Sequence, residues 1–298
     1  MPYCVYVIVW GLIMIITDDN IEQLFSNRII QVDNFNSNAE IFIYDDTILK
    51  VFPNQDDYSK YNLSVVKNLF KKEKYLKKIP ELVLPKEFLY YYGKLVGFTM
   101  PYVKGKSLQD FLADENVSED EKYIVFIKIL DFIKSLERLP FDFYIGDIHE
   151  KNIMVSDYLK INVIDCDSYI IKNKKSKDDL GIRMGKFVNF HFSDEEIDKI
   201  NIGADYYSLL CLVLNYYLNG MIENYNDPVS TLLDDKQFSM IHDILERTKD
   251  IRNFKLTEQD IDRIHNLKGK INYVPREYPE LKKEIERVRK IALEKGEL

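Results

Sequence analysis

Apolar and polar positions divide the chain into two stretches of different rhythm. Between residues 28 and 100 the period is mostly two. Arg28-Ile-Ile-Gln-Val reads as a strand. Glu40-Ile-Phe-Ile-Tyr followed by Thr47-Ile-Leu-Lys-Val-Phe predicts a hairpin turning at Asp45-Asp46, and Pro53 ends it. Glu87-Phe-Leu-Tyr-Tyr-Tyr and Leu95-Val-Gly-Phe-Thr-Met predict a second hairpin that turns at Gly93-Lys94. Between the two, residues 61–79 set Leu63, Val66, Phe70, Leu76 and Ile79 along one stripe of a helix. The first hundred residues are therefore expected to be antiparallel sheet with one helix.

Beyond residue 106 the period becomes helical. Ser107-Leu-Gln-Asp-Phe-Leu starts a short helix, and Ser118 with Glu121 forms a capping-box pattern before an amphipathic helix to about Leu139. A loop from Tyr144 to Asn152 precedes two short apolar runs, Ile153-Met-Val and Ile161-Asn-Val-Ile. Tyr206 to Leu218 is almost wholly apolar, the signature of a helix buried on every side. Residues 279–291 predict a last amphipathic helix with Leu281, Ile285, Val288 and Ile291 inward. The expected class is α+β, a small β-rich part followed by a larger helical one.

Composition narrows the function classes. The 298 residues are 46% hydrophobic and 30% charged, enough to bury a sizeable core. Forty-one basic residues against 49 acidic ones give a net charge of −8, which argues against a broad nucleic-acid surface. Cys4, Cys166 and Cys211 are far apart and show no zinc spacing, so reduced thiols in a cytoplasm are the simplest expectation. Residues 2–16 are almost all apolar. They lack the basic start and cleavage site of a secretory signal and are too short for a spanning helix. Three readings remain: a membrane-associated leader, a strand added to the first lobe, or an extension upstream of a true start at Met14, which is the preferred one. A membrane partner is expected only if this run acts as an anchor.

The chemistry concentrates in Ile145-Gly-Asp-Ile-His-Glu-Lys-Asn-Ile-Met-Val and Val163-Ile-Asp-Cys-Asp-Ser. Each sets carboxylate or amide groups beside a short apolar strand. Mg²⁺ takes hard oxygen ligands, which Asn152 and Asp165 carry, and Asp147 is suited to orient, or take a proton from, an attacking hydroxyl. Lys50 lies within the apolar strand Leu49-Lys50-Val51-Phe52, where an ammonium is costly unless it meets an anion. Glu73, between Phe70 and Leu76 on the predicted stripe, is its natural candidate partner.

The spacing D-x-x-x-x-N, followed by a hairpin and an Asp after an apolar strand, resembles the catalytic and metal loops of the protein kinase superfamily. Gly146-Asp147-Ile148-His149 is closer to the loop of aminoglycoside and choline phosphotransferases. Asp165-Cys-Asp-Ser-Tyr resembles a segment of bacterial eukaryotic-like Ser/Thr kinases. The resemblance spans roughly residues 28–220. It implies a two-lobed fold, with a β-rich N-lobe over 18–100, a hinge at 101–106 and a helical C-lobe over 107–298. It implies that Asp147 is the catalytic Asp, that Asn152 and Asp165 bind Mg²⁺, and that Lys50, paired with Glu73, holds the phosphates of ATP. Met100 looks like the gatekeeper, with Tyr102 and Val103 facing adenine. Because Pro101 lacks an N–H, the useful donor comes from Val103 or a neighbour. Ala204-Asp-Tyr-Tyr-Ser-Leu resembles the start of the buried kinase F helix, in which Asp205 braces the catalytic loop. Capping that helix is an equally good role for Asp205, and the two can hold together.

The chain also departs from the pattern. No glycine occurs between Gly11 and Gly93, so Asp33-Asn-Phe-Asn-Ser-Asn-Ala replaces the Gly-rich loop, leaving Ser37 or Asn38 to contact phosphate. His149 stands where protein kinases carry Lys, and Asp167 replaces the glycine after the metal-binding Asp. The expected activity is ATP- and Mg²⁺-dependent phosphorylation of Ser/Thr in an unidentified protein. A small-molecule phosphotransferase and a pseudokinase that binds without catalysis are the alternatives.

Overall fold

The computed structural model describes residues 4–9, 12–17, 29–32, 39–52, 54, 56–91, 93–172, 201–217 and 235–267. The Ser37–Asn38 loop and the helix expected over 279–291 lie outside them. The architecture is α+β: an antiparallel sheet comes first and helices follow. The chain divides into two compact units, one of residues 1–105 with 162–171 and one of residues 106–161 with 172–298.

The first unit is built on seven antiparallel strands: β1 (Cys4–Val9), β2 (Leu12–Thr17), β3 (Ile29–Val32), β4 (Glu40–Tyr44), β5 (Thr47–Val51), β6 (Glu87–Tyr91) and β7 (Lys94–Pro101). Their order in the sheet is β2-β1-β6-β7-β5-β4-β3. Both predicted hairpins form, the second turning one residue earlier than expected, since Lys94 already pairs with Tyr91. Asp45 takes a left-handed φ of 51° in the first turn, and Gly93 takes one of 73° in the second. Asp is among the few non-glycine residues that tolerate this conformation. The apolar N-terminal run forms the β1–β2 hairpin, and β1 pairs with β6, so the added strand is the arrangement observed.

β5 and β7 lie side by side, with Ile48 opposite Met100 and Lys50 opposite Phe98. Paired residues share a face, and residues two apart on a strand share it too. Lys50, Ile48, Phe98 and Met100 therefore look the same way. The strands approach so closely that a Cβ on Gly97 would lie 2.2 Å from the Lys50 carbonyl oxygen.

Helix α1 (Asp57–Leu76) joins the hairpins. The Asp56 carboxylate accepts a hydrogen bond from the Ser59 N–H at 2.8 Å, which satisfies one of the exposed donors of the first turn. Asp57 in the first turn and Lys74 in the last suit the helix dipole. Asn62, Leu63, Val65, Val66, Leu69 and Leu76 are buried. Burial of each large aliphatic side chain contributes about 1.5–3 kcal/mol.

In the second unit β8 (Lys106–Ser107) leads into α2 (Leu108–Ala113), which Ser107 caps. Helix α3 (Glu119–Leu136) begins with the predicted capping box of Ser118 and Glu121. It packs against β9 (Asp142–Tyr144), against α4 (Gly203–Tyr217) and against α6 (Glu258–His265), while α5 (Asp235–Thr248) packs on α6. β8 pairs with Ile153–Ser156. The all-apolar pattern of α4 is matched by burial of twelve of its side chains or glycine sites, from Gly203 to Tyr217. His265 stacks on Tyr123 with ring centroids 5.0 Å apart, a packing role. Cys166 and Cys211 are buried free thiols. Among the described residues, no helix is long and apolar enough to cross a membrane.

Candidate active site

In the first unit the segment carrying Asp165 is fixed by its backbone. The Val163 N–H donates to Glu81 O at 2.7 Å, and the Val83 N–H donates to Val163 O at 3.0 Å. Asp165 then adopts φ 65°, ψ 48°, a left-handed conformation that opens a single 3₁₀ turn over Cys166–Ser168. The Ser168 N–H and hydroxyl both donate to Asp165 O, at 3.0 and 2.8 Å. The Tyr169 hydroxyl reaches back to Val163 O at 2.8 Å. This tight turn sends the side chains of Asp165 and Asp167 to one place.

That place is the Lys50 ammonium. Its Nζ lies 2.5 Å from Asp165 Oδ1 and 2.7 Å from Asp167 Oδ1. Burial works to lower the lysine pKa, but the charges of Asp167 and Asp165 outweigh it and hold the group protonated. Two carboxylates facing one ammonium leave a net negative charge. Burial, helped by the charge of Asp165 and opposed by Lys50, pushes the Asp167 carboxyl up to about 6. A site with surplus negative charge in a poorly hydrated setting favours a cation.

The sequence reading that made Lys50 the partner of Glu73 is corrected here. The Glu73 carboxylate lies 2.8 Å from Lys77 Nζ, one turn further along the same helix, and its side chain is 38% exposed. The α1 side chain at the cluster is Asn62, whose Nδ2 donates to Asp167 Oδ2 at 3.1 Å. Glu73 is eleven residues past Asn62, about 16 Å along the axis at 1.5 Å per residue, beyond the span of one lysine side chain. Asn62 escaped sequence reading, although an amide among Leu63, Val65 and Val66 was a visible anomaly.

The expected hinge follows β7. Met100 is buried, while Tyr102 is among the exposed large side chains. The Tyr102 N–H donates to Asp46 O at 2.9 Å. Tyr102 therefore has no spare backbone donor for the role foreseen for this stretch.

In the second unit β9 delivers the chain to Ile145 and Gly146. The Ile145 N–H donates to Asp205 Oδ2 and the Gly146 N–H to Asp205 Oδ1, both at 2.8 Å. The expected brace is thus present. The capping role is not, because the Gly203 N–H donates to Asn201 Oδ1 at 2.9 Å, while the two Asp205 oxygens accept from Ile145 and Gly146. Gly146 has φ 77°, a conformation that suits glycine. Burial pushes the Asp205 carboxyl up to about 7 against the two N–H bonds, and the charge of Asp147 adds to the rise.

Asp147, His149 and Asn152 come together within this loop. Asn152 Nδ2 donates to the backbone O and to Oδ2 of Asp147, both at 3.2 Å. Its nitrogen is thereby committed, which leaves Oδ1 as the atom a hard cation would use. The Lys151 N–H donates to His149 Nδ1 at 3.1 Å, placing the proton of the neutral ring on Nε2, 3.6 Å from Asp147 Oδ2. Among the described residues no three His, Cys, Asp or Glu side chains form a ready-made metal cage. Mg²⁺ bound through one or two protein oxygens, phosphate and water needs none.

No family model matches this chain, and no curated protein matches it.

Proposed function

We propose that the protein is a divergent kinase of two-lobed, protein-kinase-like fold that transfers a phosphoryl group from ATP to a Ser/Thr hydroxyl of a protein. One observation carries the reading. A lysine buried in a β-strand is paired at 2.5 Å with an aspartate 115 residues away, the same aspartate that the motif spacing marks as a metal ligand. The Asp205 brace under the Asp147 loop supports it independently.

In this reading Lys50 holds the ATP phosphates, and Asn152 and Asp165 are the residues that would hold Mg²⁺. The metal would neutralise charge on the phosphates. Asp147, oriented by the Asn152 amide, positions the acceptor hydroxyl and accepts its proton. His149 donates one hydrogen bond towards the transferred group without a fixed charge.

A binding module without catalysis is the second reading. The glycine-free stretch before β4 and the turning of Glu73 to Lys77 favour it.

Thermal denaturation with and without MgATP, on wild type and Asp165→Ala, tests the proposal. Ligand at about a hundred times its Kd stabilises the native state by about 2.7 kcal/mol, so wild type should melt several degrees higher and Asp165→Ala should not. Absence of a magnesium-dependent shift in wild type would remove the enzyme reading. Transfer of radiolabelled phosphate should then be lost in Asp147→Asn while MgATP binding persists; unchanged turnover would remove Asp147 from its catalytic role.

A further inference from the structure

We infer that Asp167, oriented by Asn62 of α1, is the positioning carboxylate for Lys50, the part that the sequence assigns to Glu73. The inference rests on the phosphoryl-transfer reading.

The two aspartates at Lys50 differ in one decisive respect. The Asp165 side chain is 33% exposed, whereas that of Asp167 is 2% exposed. A carboxylate that meets a metal or nucleotide has to present an oxygen to it, and Asp165 can. Asp167 is sealed, and both its oxygens are spoken for. Oδ1 faces Lys50 Nζ at 2.7 Å, and Oδ2 accepts from Asn62 Nδ2 at 3.1 Å. Asn62 is itself buried and lies on the inward stripe of a capped helix, so it fixes the carboxylate plane. The chain Asn62–Asp167–Lys50 thus ties α1 to the strand lysine through a residue of the 3₁₀ turn. A helix carboxylate would do the same directly, but Glu73 is engaged with Lys77. The turn thus supplies through Asp167 the carboxylate that the resemblance places on the helix at Glu73.

Binding of ATP to the full-length protein, measured by calorimetry in Mg²⁺ and again in EDTA, tests this. Asp167→Asn keeps the shape and removes the charge. It should weaken ATP binding about tenfold or more under both conditions, the scale of one charge-assisted hydrogen bond. Glu73→Gln should bind as wild type does. Asp167→Glu should recover part of the affinity, which a purely structural role would not allow, since the longer side chain disturbs packing more than the isosteric amide. Wild-type affinity in Asp167→Asn overturns the inference, as does an equal loss in Glu73→Gln. A loss confined to Mg²⁺ also overturns it, by making Asp167 a metal ligand. If wild type itself binds no ATP, the phosphoryl-transfer reading fails first.

Discussion

Lys50 concentrates the chemistry of its neighbourhood in one ammonium. Its removal leaves Asp167 buried beside Asp165 with no cation between them. Breaking a buried pair from one side costs about 3–5 kcal/mol. Lys50→Met is therefore expected to lower the urea midpoint strongly, and added MgATP should not restore it. Glu73→Ala, which breaks only an exposed pair with Lys77, should shift the midpoint by about 0.5 kcal/mol or less. The sequence made Lys50 legible because a cation in an apolar strand demands an anion. It did not disclose which anion. Helical periodicity locates a stripe but not how far along it a given contact lies, and so Glu73 was favoured over a polar residue three turns earlier. Asp205 was legible in both its candidate roles, and only its hydrogen bonds to Ile145 and Gly146 chose between them.

Elements were read more reliably than their edges. Both hairpins turn where two acidic residues or a glycine allow a left-handed backbone, and the capping box starts α3 where its four-residue pattern falls. The buried α4 was expected from Tyr206 but begins at Gly203, because Asn201 rather than Asp205 caps it. A strand added to the first lobe is one of three readings of the N-terminal run, since an unbroken apolar run has no alternation to tell a strand from an anchor; its pairing with β6 comes from the structure. Gly97, which registered only as part of a strand, decides how closely β5 and β7 approach. Gly97→Ala would drive a methyl group into the Lys50 carbonyl and force the strands apart. It should be among the most destabilising single substitutions in the first unit, read as a large fall in melting temperature with lost near-ultraviolet dichroism.

At the scale of the whole molecule, two buried carboxyls whose pKa is raised, Asp205 and Asp167, make stability respond to pH. Asp205 titrates near 7 and Asp167 near 6 in the folded chain, against an ordinary value of 3.8. Between these limits the native state binds more protons than the unfolded one, so stability falls as pH rises from about 4 to about 7. Asp205→Asn should flatten this dependence, measured as urea midpoints across the window. It should also lower stability at every pH, because an amide offers one acceptor to two N–H donors. An undiminished slope in the variant would place the titration elsewhere.

The grip of Asp205 on the Asp147 loop has a consequence for how the chain comes to life. The donors at Ile145 and Gly146 precede their acceptor by 60 and 59 residues. On the ribosome, at about 5–20 residues per second, the loop emerges several seconds before the helix that holds it. During that interval the carboxylate that accepts from its two N–H groups in the folded chain has not yet been made. The geometry of the Asp147 loop is thus completed late in synthesis, when α4 arrives, and a nascent chain halted before Gly203 carries the motif without that hold.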